Sequence, residues 1–229
     1  PVVAGIYSPQ DLQIAPQALT QALIQAAQSQ GVTLHTETSV VGFEQMDDCV
    51  TALQTATGQY LADWVIVTAG LGSESLTQQL AASLPLMPVL GQGLRVQMPD
   101  TLGHADFQPI INGDDVHLVP LGDRVYGVAA TVEFPDADIT PLPREAALTQ
   151  VWDRAVEYCP ALSEGQILST WYGLRPRPQG QAAPVIQPLP GWRNVILATA
   201  HYRNGVLLAP ATAQSVKELL TASPPTVPA

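Results

Sequence analysis

The chain contains 229 residues, of which 46% are hydrophobic, and it carries a formal net charge of -11 with a pI near 4.5. This apolar content excludes a disordered protein, and the length is enough for one or two domains with a real core. An acidic chain with Lys217 as its only lysine is poorly suited to phosphate backbones, so we expect no nucleic acid partner.

The sequence carries no sign of a membrane span or of export. No apolar run approaches the roughly twenty residues that cross a bilayer, and no charged leader with a cleavage site precedes the first helix. We therefore expect a cytoplasmic protein without a membrane partner. Pro1 stands where a methionine would be expected and no element precedes Tyr7, which indicates a truncated N-terminus.

The first third of the chain predicts an α/β arrangement. Pro16 opens a segment with an apolar helical face, and Gly31 ends it. Alternating and continuous apolar runs then predict strands. In order, these patterns predict a helix over 16–29, a strand over 32–35, an antiparallel ribbon over 40–44 and 49–57, and a buried parallel strand over 64–68.

A glycine pair follows the last of these strands. Gly70 and Gly72 begin a turn that could be a dinucleotide loop, but Ser75 stands where the third glycine is needed. No acidic residue follows about twenty positions later on a second strand, as such a loop requires. We interpret the segment as a tight turn from a strand into a helix.

The middle of the chain predicts a second domain with an antiparallel sheet. A helix over 143–158, which has one apolar face, interrupts the sheet. The predicted strands are 89–98, 107–111, 116–120, 125–132 and 166–175.

The last fifty residues contain the strongest functional signal. Residues 194–199 predict a buried strand, and Pro210 predicts the opening of a final helix. The polar residues from His201 to Asn204 would lie at the carboxyl end of that strand, where α/β sheets bind ligands, and Gly205 allows a close approach. We expect the ligand to have a carbonyl or anionic edge, while 221–229, rich in proline, predicts a frayed tail.

Half of the arginines lie in the stretch 171–220, at Arg175, Arg177, Arg193 and Arg203. Arg175 follows a predicted strand, and we expect Pro176 to end its pairing. A guanidinium is a rigid fork that matches a carboxylate. The spacing alone leaves open the alternative that Arg175 pairs with an acidic residue of the protein.

The amino-acid sequences of two segments are specific enough to indicate a family. Gly173-Leu174-Arg175-Pro176, followed by the thirteen residues from Ala200 to Thr212, resembles the C-terminal signature of the D-amino-acid oxidase family, most closely its glycine oxidase branch. The resemblance implies an α/β plus α+β fold: the C-terminal portion of an FAD-binding Rossmann-like domain with an antiparallel-sheet substrate domain. The implied boundaries are 1–84 and 179–229 for the FAD domain and 85–178 for the substrate domain.

The resemblance also implies an activity, in which FAD oxidises the amine of a small amino acid and oxygen reoxidises the flavin, giving an imino acid and hydrogen peroxide. Arg175 would hold the substrate carboxylate, Arg203 would be an auxiliary cation, and His117 would line the amine side. The residues expected at the cofactor are Val40, Ala69, Gly70, His201, Tyr202, Arg203, Asn204, Gly205, Val206 and Leu207.

Two departures from the family pattern bear on specificity. His117 stands where glycine oxidases have a tyrosine, with Asp115 two residues earlier on the same expected strand face, and Gln179-Gly180 replaces the usual Asp-Gly. Two alternatives therefore stay open: a flavin amine dehydrogenase on the same fold, or a non-catalytic module that cannot bind FAD alone. The histidines and the two cysteines show no metal-ligand spacing, no serine lies in a nucleophile elbow, and we expect no metal.

The missing glycine-rich turn generates a prediction for the 229-residue chain. Without a phosphate cradle it should not hold FAD tightly, so the purified chain should be colourless. A visible flavin absorbance in stoichiometric amount would contradict this expectation. The same lack of a first parallel strand would leave an exposed sheet edge that favours self-association or an added partner chain.

Overall fold

The structure is a computed structural model, and it describes residues 2, 4–113, 115–136 and 140–222. The chain forms two compact units. Unit 1 comprises Pro1–Gln13 and Pro88–Leu174, and unit 2 comprises Ile14–Met87 and Arg175–Ala229. The chain passes from one unit to the other three times, once before the first helix and twice within long strands.

Along the described residues, runs of three or four strands separate the α-helices, and together they form a mixed α/β fold. The helices are α1 (Pro16–Ser29), α2 (Ser73–Gln79), α3 (Glu145–Tyr158) and α4 (Gly205–Ala222), with 3-10 turns at Gly70–Gly72 and Pro160–Glu164. The strands are β1 (Val40–Met46), β2 (Cys49–Thr55), β3 (Gly58–Leu61), β4 (Val65–Val67), β5 (Leu86–Gln97), β6 (Ile111–Gly113), β7 (Val116–Gly122), β8 (Val125–Ala129), β9 (Gln166–Pro178), β10 (Val185–Pro188) and β11 (Val195–Thr199).

The second predicted domain is built on a five-stranded sheet with the order β6-β7-β8-β5-β9. The pairs β6–β7, β7–β8 and β5–β8 are antiparallel, which confirms the predicted sheet type. α3 packs its apolar face on this sheet, where Val151 and Ala155 are buried with Leu94, Val96 and Leu118. The inward-facing residues of the strands and the apolar face of α3 therefore form one shared core.

A polar cluster fixes the start of α3 in unit 1. The Glu133 carboxylate accepts hydrogen bonds from Gln92 Nε2 at 2.6 Å and Thr131 Oγ1 at 2.7 Å, and Arg144 donates to it through two nitrogens, at 2.9 and 3.1 Å. Burial raises the pKa of Glu133, but these hydrogen bonds and the Arg144 charge outweigh burial and lower the pKa overall. Gln92 Oε1 also accepts from the Arg144 backbone N–H at 3.1 Å. The cluster explains why α3 begins at Glu145, two residues later than predicted.

Unit 2 contains two three-stranded sheets. The ribbon predicted over 40–57 is confirmed as β1 and β2, and the unpredicted β3 extends it. The other sheet has the order β10-β11-β4, in which β4 runs parallel to β11 and β10 runs antiparallel. The predicted buried run after residue 193 is confirmed, since every residue of β11 is buried.

The buried side chain of Asn194 joins three segments of unit 2. Its Oδ1 accepts from the Val50 N–H at 2.9 Å, and its Nδ2 donates to the carbonyls of Val50 at 2.7 Å and Asp63 at 3.0 Å. The Asn194 carbonyl accepts from the Val65 N–H at 2.9 Å. One residue therefore satisfies backbone groups of β2, of β4 and of the segment before β4.

Three local predictions were wrong. Residues 32–35 are extended but pair with no strand in the described chain, because an apolar run alone supplies no partner. Pro176 does not end β9, since its carbonyl still accepts from the Tyr202 N–H at 3.2 Å although it has no N–H to donate. α4 begins at Gly205 and contains Pro210 in its second turn, where the lost proline donor removes one intrahelical bond.

The sheet of β4 is open on one side. Within the described residues β4 pairs only with β11, and Ile66 keeps 39% of its surface exposed. A groove of about 430 Å³ lies between this sheet and α4, lined by Ile66, Ala198 and Val216 among others. No described helix has the length and apolar character to cross a membrane. Most of the tail predicted over 221–229 lies outside the described residues.

The contacts of Asn194 predict a large stability effect. Asn194→Leu keeps a similar volume but leaves the Val50 N–H and two carbonyls buried without their partner, at a cost of about 3 kcal/mol in the free energy of unfolding. Chemical denaturation of the variant measures this cost. Gln187→Leu, at an exposed position of the neighbouring β10, is the matched control and should change stability by less than roughly 0.5 kcal/mol. Equal effects at the two positions would contradict the role of Asn194.

Candidate functional site

Two buried hydroxyl groups tie the carboxyl ends of β4 and β11 together. Ser73 Oγ lies 2.9 Å from Thr199 Oγ1, which is 3.4 Å from the Gly70 carbonyl. Both side chains are buried, so their hydrogen bond is shielded from water. The turn at Ala69 and Gly70 is therefore held beside the loop that follows β11, which brings together two of the predicted cofactor segments.

The loop after β11 has an unusual backbone. Ala200 and Tyr202 have φ values of 57° and 54°, the left-handed region that non-glycine residues rarely occupy. The Tyr202 N–H donates to the Pro176 carbonyl at 3.2 Å, and the Asn204 N–H donates to the His201 carbonyl at 3.0 Å. These bonds hold a strained loop in one shape, which is a frequent property of ligand-binding segments.

His201 connects this loop to α4. Its Nε2 lies 2.8 Å from the Thr212 hydroxyl of α4, and the ring is half-buried. Burial lowers the pKa of His201 below its usual value, so the ring is neutral at neutral pH. The residue therefore fixes the loop against the helix without placing a cation there.

The first turn of α4 completes the loop. The 18-residue helix begins at Gly205, and the Leu208 N–H donates to the Asn204 carbonyl at 2.9 Å. The amides of Gly205, Val206 and Leu207 precede the first intrahelical bond, so they point out of the helix start with its positive dipole end. The side chains of Val206 and Leu207 are exposed. This helix start can donate hydrogen bonds to carbonyl or anionic atoms of a ligand.

Two arginines of unit 2, Arg175 and Arg177, interact with Tyr202, and the charge of a third, Arg203, acts on Arg175. The guanidinium carbon of Arg177 lies 5.8 Å from the centroid of the Tyr202 ring, a cation–π distance. Arg175 is half-buried, and burial lowers the pKa of its guanidinium, with the Arg203 charge lowering it further and Tyr202 opposing this. A negative charge beside Arg175, such as a carboxylate, would offset the effect of Arg203.

The other predicted residues lie elsewhere. Arg193, counted with the cationic group in the sequence, instead forms an ion pair with Asp48 at 2.6 Å. Val40 begins β1, in a different sheet from β4 and β11. His117 belongs to unit 1. Asp115 lies in the turn before β7 with a φ of 62°, so the expectation that it shares the strand face of His117 was wrong.

His117 has a specific partner in unit 1. It lies in β7 directly opposite Asn112 of β6, and its Nδ1 is 2.6 Å from Asn112 Oδ1. The sequence interpretation missed Asn112, Ser73 and Thr199, which are common polar residues outside any motif. It also gave no role to Thr212, although Thr212 ends the motif that contains His201. No local signal could have identified the first three.

Comparison with known protein families decides the identity. A model of the DAO family, described as FAD dependent oxidoreductase, matches residues 1–219. The chain belongs to this family. The family contains FAD-dependent oxidoreductases, as the resemblance of the C-terminal segments implies.

Two groups of characterised relatives are similar over most of the chain. A glycine oxidase from Pseudomonas putida is 35% identical over 198 residues, which cover 86% of this chain and 52% of the relative. A bifunctional protein ThiO/ThiG from Trichormus variabilis is 34% identical over 222 residues, 96% of this chain and 32% of the relative. The chain thus spans about half of the length of the glycine oxidase and about a third of the bifunctional protein.

Solved structures agree with the fold. A glycine oxidase from Bacillus cereus superposes with a TM-score of 0.78 at 25% identity, covering 89% of this chain and 54% of that chain. An L-proline dehydrogenase from P. horikoshii superposes with a TM-score of 0.79 at 20% identity, covering 93% and 57%. The second likeness concerns the fold alone.

The residues present fit one part of FAD. The turn at Gly70, the loop after β11 and the start of α4 offer backbone donors, and a Cβ built at Gly70 would contact nothing within 4 Å. These features suit the flat carbonyl-bearing edge of an isoalloxazine. The glycine pair at Gly70 and Gly72 lacks the third glycine of a phosphate loop. Among the described residues, no group of three or more His, Cys, Asp or Glu is placed to hold a metal ion.

Proposed function

We propose that this chain forms the substrate-binding part and the isoalloxazine-binding part of an FAD-dependent oxidase of small amino acids, of the glycine oxidase type. The products would be the imino acid and hydrogen peroxide. The family match and the similarity to glycine oxidases at 35% identity support the reaction class. In this proposal unit 1 is the substrate domain, and unit 2 is part of a Rossmann-like FAD domain.

The observation that carries the proposal is the half-buried Arg175, on which the positive charge of Arg203 acts. Burial and the Arg203 charge both lower the pKa of Arg175, so both disfavour its charged form. A substrate carboxylate would oppose this effect and accept two hydrogen bonds from the Arg175 fork. Arg203, which is exposed, would act as the auxiliary cation at the entrance.

The cofactor contacts follow from the strand ends. Ala69 and Gly70 would approach the flavin through their backbone, and so would the segment from His201 to Leu207 at the start of α4. His201 would contribute by holding the loop, since it is bound to Thr212 and its lowered pKa keeps the ring neutral. Val40 would meet the adenine through its backbone.

In the proposed reaction, bound FAD would supply the two-electron acceptor for the substrate hydride, and oxygen would regenerate that acceptor. The protein residues position the substrate. Arg175 would orient the carboxylate, so that the α-carbon takes one fixed position and the amine extends away from the arginine. His117 would line the amine side, where glycine oxidases have a tyrosine, so specificity among amines would depend on it. We also propose that the protein is cytoplasmic.

A peroxide assay on protein that carries FAD tests the reaction class. Formation of one peroxide per amine oxidised, with glycine or another small amino acid, is the expected result. Turnover only with an artificial electron acceptor would favour the alternative, a flavin amine dehydrogenase on the same fold. Protein that cannot be loaded with flavin under any condition would favour the non-catalytic module.

The role of Arg175 predicts a specific kinetic change. Arg175→Lys should lower kcat/KM by roughly 30-fold, or about 2 kcal/mol, because a lysine cannot form the bidentate pair with the substrate carboxylate. The affinity for added FAD should not change. Arg193→Lys is the matched control, since Arg193 pairs with Asp48 in an exposed ion pair. Unchanged kinetics of Arg175→Lys over a panel of amino acids would remove Arg175 from the site.

The open edge of β4 supports a further part of the proposal, which is that the chain self-associates or adds a partner strand there. An unpaired strand edge offers a row of backbone donors and acceptors to another chain. Ile66, in the middle of β4, is partly exposed at the groove beside α4.

A charge at this edge should prevent the association. Ile66→Lys should shift the chain toward the monomer in sedimentation velocity, because a lysine on an edge strand opposes pairing with another strand. Leu142→Lys, which places the same charge on an exposed apolar residue of unit 1, should leave the distribution unchanged. A monomeric unmodified chain at all concentrations would contradict self-association.

A further inference from the structure

The chain contains three asparagines, and their surroundings differ. Asn194 is fully buried, and its amide forms the hydrogen bonds that join β2 to β11. Asn112 and Asn204 are exposed, and each is followed by a glycine. An Asn-Gly pair can rearrange without an enzyme, because glycine has no side chain to hinder the attack of its backbone nitrogen on the neighbouring side-chain amide. The structure distinguishes the two pairs.

The pair Asn112-Gly113 lies in a paired strand. Asn112 lies opposite His117, and its Oδ1 is 2.6 Å from His117 Nδ1, so its side chain is engaged. Gly113 pairs with Val116, and a Cβ built on it would lie 3.0 Å from two atoms of the Tyr158 ring. A rearrangement here would break the hydrogen bond of the side chain and the pairing of β6 with β7, and both losses oppose it.

The pair Asn204-Gly205 lies at the start of α4. The side chain of Asn204 is exposed and forms no hydrogen bond within the part of the chain that the structure describes. The Gly205 N–H precedes the first intrahelical bond, which joins the Leu208 N–H to the Asn204 carbonyl at 2.9 Å. The attacking nitrogen and the amide that it attacks are therefore both accessible to water.

The charges around this pair favour the attack. The Gly205 nitrogen becomes a nucleophile when it loses its proton, so a positive potential assists it. This nitrogen lies at the positive end of the dipole of an 18-residue helix. Arg203, which precedes Asn204, adds a cation on an exposed side chain. Both positive charges stabilise the deprotonated nitrogen relative to its neutral form.

We propose that Asn204 is a site of spontaneous modification. The Gly205 nitrogen bonds to the side-chain carbonyl carbon of Asn204, the bond from that carbon to the amide nitrogen breaks, and ammonia leaves with the proton of the Gly205 nitrogen. Water then opens the resulting succinimide at one of its two carbonyls, which gives an aspartate or an isoaspartate. No electrons are transferred, and water is the only co-reactant. This reaction does not depend on the identity of the substrate or of the cofactor.

The consequence of the modification rests on the proposed function. The product has a negative charge next to Arg203, and the isoaspartate form adds a carbon to the backbone before α4. The new carboxylate would offset the Arg203 charge and weaken the attraction for a substrate carboxylate. The fold would be retained, because an aspartate at a helix start is as favourable as an asparagine. The modification would therefore reduce substrate binding as the protein ages.

Peptide mapping by mass spectrometry tests the modification on the chain itself. The folded chain is incubated in mildly alkaline buffer, and each asparagine is followed by the mass change from amide to acid and by the separate elution of isoaspartate peptides. Asn204 should convert several-fold faster than Asn112, and Asn194 should not convert. In urea, where the fold is lost, Asn112 and Asn204 should convert at similar rates. Equal rates in the folded chain overturn the proposal, and so does a difference that persists in urea.

Gly205→Ala tests the attacking nitrogen. The added methyl hinders the attack, and a Cβ at this position would lie 3.6 Å from His201 Cβ, an ordinary contact that preserves the fold. Conversion of Asn204 should slow several-fold. Gly173→Ala is the matched control, because a Cβ at this exposed glycine of β9 meets nothing within 4 Å, and it should leave the rate unchanged. An unchanged rate in Gly205→Ala overturns the proposed reaction.

Asn204→Asp mimics one product and tests the consequence separately. On flavin-loaded protein it should raise KM for a small amino acid several-fold with little change in kcat, because it acts on the binding of the carboxylate. An unchanged KM overturns the effect on substrate binding. Flavin-loaded protein that oxidises no amine overturns the proposed function, whereas peptide mapping still decides the modification.

Discussion

The amide side chain of Asn194 is the contact on which unit 2 depends most. It is fully buried, and its three hydrogen bonds reach Val50 and Asp63, which are 144 and 131 residues away in sequence. A buried amide is costly unless each of its groups is paired, so this arrangement holds β2 and the residues before β4 in one register with β11. An apolar residue could fill the same space but could not satisfy the backbone of the ribbon.

The site depends on this register at the other end of the same strands. Asn194 lies at the start of β11, and Thr199 lies at its end, bound to Ser73 beyond β4. Because β4 and β11 are parallel and their register is fixed at both ends, the turn at Gly70 and the loop after Thr199 emerge side by side. The loop then turns through two left-handed residues into α4, whose first amides are available to a ligand.

The partners of the arginines also depend on the tertiary structure. The protein is acidic overall, and one of the four C-terminal arginines, Arg193, is neutralised by Asp48 away from the site. Burial and the Arg203 charge instead lower the pKa of Arg175, and Arg177 lies at a cation–π distance from Tyr202. A half-buried arginine beside a second positive charge is favourable for binding an anion, and perturbed groups of this kind are frequent at functional sites.

The sequence by itself determined the local elements and the family. These signals lie within short segments, where propensity and pattern act directly. They are the caps and apolar period of α1, the buried run of β11, and the sequence motifs around Arg175 and at Ala200–Thr212. The tertiary structure decided what depends on distant partners. It decided that residues 32–35 pair with no described strand, that Pro210 is tolerated inside α4, that Arg193 forms an ion pair with Asp48, and that Asn112 forms a hydrogen bond with His117. Each of these depends on which segments meet in space, and a pattern read along the chain contains no information about which partner a backbone or side-chain group will find.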